Sequence, residues 1–225
     1  MFNIKWFGHA MWQITTDKLS IILDPFSDIG YPVPKDLTPD IVISSHEHFD
    51  HSNFKMFTSP YKKITQIGTY HLDEIKVKLI EVSHGKLENK NLGDTYMIII
   101  YLNNHTIVHC GDIGAIPNKD TLDYLKDADI LFVPVGGHYT IDAATAKELI
   151  ELTTPKVVFP MHYKTEVSKI DGIAGIEPFL ALFPETEIVN SDQITIDTTK
   201  LKKNKTRLIT LDFPRQNTSG IEAKI

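Results

Sequence analysis

The sequence has a single cysteine, Cys110, in 225 residues, so no disulfide can form within the chain. That fits a reducing compartment, and a cytoplasmic location is the expectation. An excess of basic residues is also missing: 29 Asp and Glu against 23 Lys and Arg give a net charge of −6 with neutral histidines. A general nucleic-acid binder normally carries a basic field, so that partner is not expected. The one basic cluster, Lys200, Lys202, Lys203, Lys205 and Arg207, reads as a solvated turn. Apolar runs are short; residues 97–100 are an example, far below the ~20 needed to span a bilayer. Residues 1–6 show no basic segment followed by an apolar one, so no secretory leader is expected. Gly136-Gly137 lacks the Lys-Ser or Lys-Thr of a phosphate loop and reads as a tight turn.

What is present is ordinary for a globular protein: 42% hydrophobic and 23% charged residues. The length suits one domain with a real core, expected over residues 1–213, followed by a loose polar tail at 214–225. Hydrophobic periodicity predicts strands at 3–7, 11–15, 20–24, 40–45, 64–67, 75–82, 95–102, 106–110, 129–135, 156–160, 186–190, 193–197 and 207–211. It predicts a helical turn at 52–57 and helices at 118–126, 142–152 and 173–182, the first two capped by Asn118 and Asp142. Asn103-Asn104 suits a tight hairpin. Strands come first, then alternate with helices, with no dividing linker and no usable repeat. The fold class is therefore α/β: one domain with two sheets inside and helices outside.

The ten histidines matter for their positions. Ser44-Ser45-His46-Glu47-His48-Phe49-Asp50-His51 follows a predicted buried strand and places four ligand types within six residues. Alternate side chains such as His46 and His48 can turn to one side, with Asp50 and His51 facing a second position. Imidazole with carboxylate suits zinc, with manganese and iron as competitors. One loop histidine is usually polar surface; three with an aspartate at this spacing are not explained by solvation. Three more ligand types, His84, Asp112 and His162, each stand at the end of a predicted strand. Such positions converge on one edge of a sheet.

His46-x-His48-x-Asp50-His51, with His84, Asp112 in Cys-Gly-Asp and His162 in Pro-Met-His-Tyr, resembles the metallo-β-lactamase superfamily. Phe7-Gly8-His9-Ala10, Leu23-Asp24-Pro25-Phe26 and residues 133–137 resemble its branch of small hydrolases that includes ascorbate-6-phosphate lactonase. The resemblance spans residues 3 to about 163. It implies an αββα sandwich of two mixed sheets and a site for two divalent metal ions. His46, His48 and His84 would hold one ion and Asp50, His51 and His162 the other, with Asp112 bridging. It also implies hydrolysis of a small ester, lactone or phosphoester by a metal-bridging hydroxide, with Asp50 orienting the nucleophile.

Other residues keep two readings. His138, beside Gly136-Gly137, is either an acid or substrate contact or a plain loop histidine. His9 either contacts substrate or makes a structural hydrogen bond. His71, His105, His109 and Cys110 are read as structural. The expected partner is a small molecule, with Lys86 or Lys90 available for an anionic group; a membrane partner is not expected, and self-association stays open. Two other functions compete: phosphodiester cleavage in a nucleotide or nucleic acid, and a metal-stabilised binding module without turnover. A redox di-iron centre is disfavoured because His48 stands where its relatives place a carboxylate.

Overall fold

The computed structural model describes residues 1–84, 86–87, 90–126, 128–203 and 205–213, with the backbone alone at 86–87 and 90–91. The tail expected at 214–225 and the side chains of Lys86 and Lys90 lie outside the described residues. The strands in chain order are β1 (Phe2–Gly8), β2 (Met11–Thr15), β3 (Ser20–Leu23), β4 (Ile41–Ile43), β5 (Lys62–Ile64), β6 (Gly68–Leu72), β7 (Ile75–Ser83), β8 (Lys86–Leu87), β9 (Lys90–Asn91), β10 (Asp94–Leu102), β11 (His105–His109), β12 (Ile130–Pro134), β13 (Val157–Met161), β14 (Glu187–Val189), β15 (Gln193–Ile196) and β16 (Arg207–Leu211). Helices are α1 (Lys119–Leu122), α2 (Ala143–Thr153) and α3 (Glu177–Leu182).

Two mixed sheets carry the fold, ordered β15-β1-β2-β3-β4-β5 and β14-β16-β13-β12-β11-β10-β7-β6. Trp12 of β2 crosses between them, its ring 4.6 Å from Phe132 of β12 and 5.4 Å from Phe159 of β13. All three are fully buried, as are Ile4, Ile14, Val42, Ile98 and Val158. Truncating Phe132 to Ala is expected to cost about 3–5 kcal/mol, read from the urea unfolding midpoint, because both sheets lose a shared contact.

Strand direction decides where the loops meet. β1 runs antiparallel to β2 and β2 antiparallel to β3, while β3 and β4 are parallel, so β1, β3 and β4 end at one edge. In the second sheet β7 and β11 both run antiparallel to β10, and β11, β12 and β13 are parallel, so these also end together. His9, Asp24, His46, His84, Asp112 and His162 each lie just beyond one of these ends.

Three expectations change. The strand placed at 64–67 divides: Ile64 closes β5 and is buried, whereas Ile67 is exposed before β6. Edge strand β6 is short of apolar residues, which hid it. The helix placed at 173–182 begins only at Glu177. Its front part is loop backbone, with the Ala174 amide donating to the Gly136 carbonyl and its carbonyl accepting from the Lys164 amide, both at 2.7 Å. Pro178 suits the first turn of the shortened helix. The helix placed at 118–126 is one α turn, yet Asn118 caps it as expected, accepting from the Thr121 amide. Asp142 caps α2 in the same way, and Asn103-Asn104 forms the hairpin with φ of 51° and 62°.

Candidate metal centre

After β4 the chain coils back on itself. Ser44 Oγ donates to the His46 carbonyl at 2.6 Å, and the His51 amide and Ser52 Oγ donate to the His48 carbonyl at 2.9 and 2.8 Å. The coil brings His46 Nε2 within 2.9 Å of His48 Nδ1. His84, arriving from β7, completes a cluster whose ligand atoms all lie within 4.8 Å of one another. A second cluster to the same limit contains His9, Asp50, His51 and His162. Asp112 stands between the two. Its Oδ2 is 3.1 Å from both His51 Nε2 and His162 Nε2, 3.5 Å from His84 Nε2 and 3.9 Å from His46 Nε2. Nitrogens sharing one zinc at ~2.0–2.1 Å in a tetrahedron stand roughly 3.3 Å apart, so these spacings fit small divalent ions.

A supporting layer sets the tautomers. Asp24 is fully buried and accepts from the Ser45 amide at 2.6 Å, Ser45 Oγ at 2.7 Å and His51 Nδ1 at 2.8 Å. Holding the His51 proton on Nδ1 turns the Nε2 lone pair toward Asp112. Ser45 gives its hydroxyl proton to Asp24, so its oxygen accepts from His46 Nδ1 at 2.9 Å and frees His46 Nε2 in the same way. Thr95 Oγ1 accepts from the Asp112 amide at 3.3 Å. His109 bridges two loops: Nε2 donates to the Ala10 carbonyl at 3.0 Å, and Nδ1 accepts from the Gly111 amide at 3.1 Å. Gly111 has φ of 58°, and a Cβ there would lie 2.7 Å from Thr95 Oγ1 and from the Tyr96 carbonyl. His9, Asp24 and His162 also hold left-handed φ of 52°, 46° and 53°, a concentration of backbone cost typical of functional sites.

None of Asp24, Ser45, Thr95 or His109 was a candidate site residue from the sequence. Asp24 carries a signal, a carboxylate closing the apolar run Ile21-Ile22-Leu23 within the Leu23-Asp24-Pro25-Phe26 motif, to which the sequence reading attaches no role. His109 is indeed packed in its strand, but it also ties the turn bearing His9 to the turn bearing Asp112.

Buried polar atoms without hydrogen-bond partners converge here: His51 Nε2, both ring nitrogens of His84, Asp112 Oδ1 and Nδ1 of His9 and His162. Each such orphan costs about 1–3 kcal/mol, and a bound cation would engage the inward-facing ones. Charge points the same way. Burial opposes a charge on His51, but Asp112, Asp50 and Asp24 around it raise its pKa well above the ordinary value. Burial opposes charge on Asp112 too, yet His162 and His51 hold its pKa well below the carboxylate range. Three carboxylates around one imidazole make a site that wants positive charge.

Burial, reinforced by neighbouring histidines, lowers His9 to about 4 and His46 to about 3. In the unfolded chain both bind protons near pH 6.5. Their depressed folded values therefore stabilise the metal-free protein above that pH, and the contribution is lost as pH falls toward 4 and 3. His51, with a raised folded value, has the opposite sign: its contribution is complete below about 6.5 and is lost as pH rises through its folded pKa. The metal-free chain is expected to be most stable near pH 6.5, with the urea midpoint falling on either side; a midpoint still rising from pH 6.5 to 9 would contradict this.

Of the sequence candidates, the structure brings His46, His48, Asp50, His51, His84, Asp112 and His162 together, and adds His9, whose Nε2 is 3.2 Å from Asp50 Oδ2. It does not bring His138. That residue is exposed, with φ of 61°, packed against Tyr139 at 4.4 Å and over Gly172, where a Cβ would lie 2.7 Å from the ring. Tyr139, not His138, lines the cleft of about 590 Å³ that opens onto His48, Asp50, His84, Asp112 and His162.

The model of the beta-lactamase superfamily domain matches residues 3–162. A UPF0173 metal-dependent hydrolase of Thermoplasma acidophilum is 25% identical over 220 residues, covering 83% of this chain and 98% of its own. One from Carboxydothermus hydrogenoformans is 28% identical over 193 residues, covering 72% and 85%. The crystal structure of a Thermotoga maritima protein, assigned to the zinc-dependent hydrolases of the metallo-β-lactamase superfamily, superposes with a TM-score of 0.77 at 29% identity. It covers 94% of this chain and all of that one.

Proposed function

The chain belongs to the beta-lactamase superfamily, and we propose that it is a binuclear metal-dependent hydrolase of a small ester, lactone or phosphoester. The hydrolase relatives support the class. The observation that carries the binuclear reading is the position of Asp112 Oδ2, within 3.9 Å of a ring nitrogen from four histidines, two in each cluster. In this reading His46, His48 and His84 would hold one ion, Asp50, His51 and His162 the other, and Asp112 would serve both; zinc suits the donor set, with manganese or iron as competitors. When bound, such a pair would supply a water of lowered pKa and polarisation of the bond to be cleaved.

The chain's own residues prepare that chemistry. Asp24 and Ser45 fix the proton-bearing nitrogens of His51 and His46. His9 donates to Asp50 Oδ2 and holds that carboxylate in place, a positioning role. The cleft admits a small molecule on the side of His48, His84 and Tyr139. His138 has no part in this account. Residues 1–213 act as one domain, and among the described residues no helix is long and apolar enough to cross a membrane.

The test is hydrolysis of generic ester, lactone and phosphodiester substrates before chelation, after it, and after metal is returned. Loss and recovery of activity supports the hydrolase. Retained activity after the metal is stripped contradicts it, and full metal occupancy without turnover favours the binding module.

A further inference from the structure

Phe49 stands between His48 and Asp50, yet it is 61% exposed. It lines the same cleft as those residues, as do Leu92, Tyr139 and Ile170, none of them fully buried. A large aromatic left in water beside a candidate metal site is a surface that gains by being covered. Beside this wall, Lys169 and Lys164 each face a carboxylate. Lys169 Nζ lies 2.8 and 3.0 Å from the two carboxylate oxygens of Asp28, and Lys164 Nζ lies 3.5 Å from Asp171. Glu47 adds a further carboxylate to the cleft. A carboxylate placed against this wall would lose its hydration on apolar side chains and would face Glu47 and Asp171, which also line the cleft.

We propose that the substrate carries, away from its reacting group, an alkyl or aryl group with an uncharged end that lies on Phe49, Leu92, Tyr139 and Ile170. This rests on the hydrolase reading, which places the reacting group at the metal end of the cleft.

Binding, without turnover, separates the two readings. The full chain, loaded with zinc, is titrated calorimetrically with three hydroxamic acids: acetohydroxamic acid, hexanohydroxamic acid and the monohydroxamic acid of adipic acid. The last two have tails of equal length, one ending in a methyl and the other in a carboxylate. The expected result is that the hexanoyl compound binds at least about tenfold more tightly than either of the others, a ratio within reach of a few buried methylenes. In Phe49→Ser that preference falls below about threefold while the zinc content is kept, and Ile170→Ser lowers it too. Equal or tighter binding of the carboxylate-ended compound overturns the proposal, as does a preference unchanged in both variants, or no binding of any of the three. An intact preference without hydrolysis of any substrate would count against the hydrolase reading alone.

Discussion

Replacing Asp112 by Asn is expected to lower bound metal from the proposed two ions per chain to one at most, and to reduce hydrolysis by at least about 10²–10³-fold. Asp112 Oδ2 lies beside both clusters, 3.1 Å from His51 and His162 and 3.5 Å from His84. The amide is isosteric, and the loop is held through the main chain by the Asp112 amide on Thr95 Oγ1. The fold should therefore survive, and the loss should be of charge at the centre. Elemental analysis beside a thermal melt reads both quantities. Two ions retained at full occupancy would remove Asp112 from its bridging role.

Asp24→Asn is expected to weaken metal binding by about 10–100-fold although Asp24 belongs to neither metal cluster. Asn tolerates the left-handed φ of 46° that Asp24 holds, so the backbone is not the target. The carboxylate accepts three hydrogen bonds, one at Oδ1 and two at Oδ2. Whichever way the amide turns, its NH₂ faces a donor. The least costly escape is for His51 to move its proton to Nε2, which blocks the lone pair that would bind metal. In the metal-free chain the same change removes a buried partner of His51, worth about 3–5 kcal/mol. Competition with a chromophoric chelator measures the first effect, and urea unfolding the second. Wild-type affinity in this variant would mean that the tautomer of His51 is not set by Asp24.

The site was readable where ligands are local or follow apolar strands. His46, His48, Asp50 and His51 sit in one coil, and His84, Asp112 and His162 each succeed a run of Val, Ile or Leu. Because β7, β11 and β13 point the same way, a one-dimensional pattern became a three-dimensional cluster. The supporting layer was not readable, because its partners are far apart in sequence. Asp24 meets His51 across 27 residues and Thr95 meets His46 across 49. Nothing in local spacing connects them; the pairing of β3 with β4 brings Asp24 beside the His51 coil, and the Tyr96 amide donating to the Ser45 carbonyl at 2.8 Å brings β10 to His46. His138 shows the reverse: a histidine that follows strand β12 as the ligand types follow theirs, yet is turned over Gly172 with a left-handed backbone. The short helix at Glu177–Leu182 was overextended because Ile173 and Ile176 continue a helical period, while Gly172, Gly175 and Pro178 interrupt the backbone that would realise it.

The most direct test of the two-ion site is anomalous diffraction from crystals grown with zinc, recorded on both sides of the zinc edge. The account predicts two peaks per chain about 3.5–4 Å apart, one among His46, His48 and His84, the other among Asp50, His51 and His162, with Asp112 between. A single peak, or two that leave Asp112 outside both coordination shells, would contradict it.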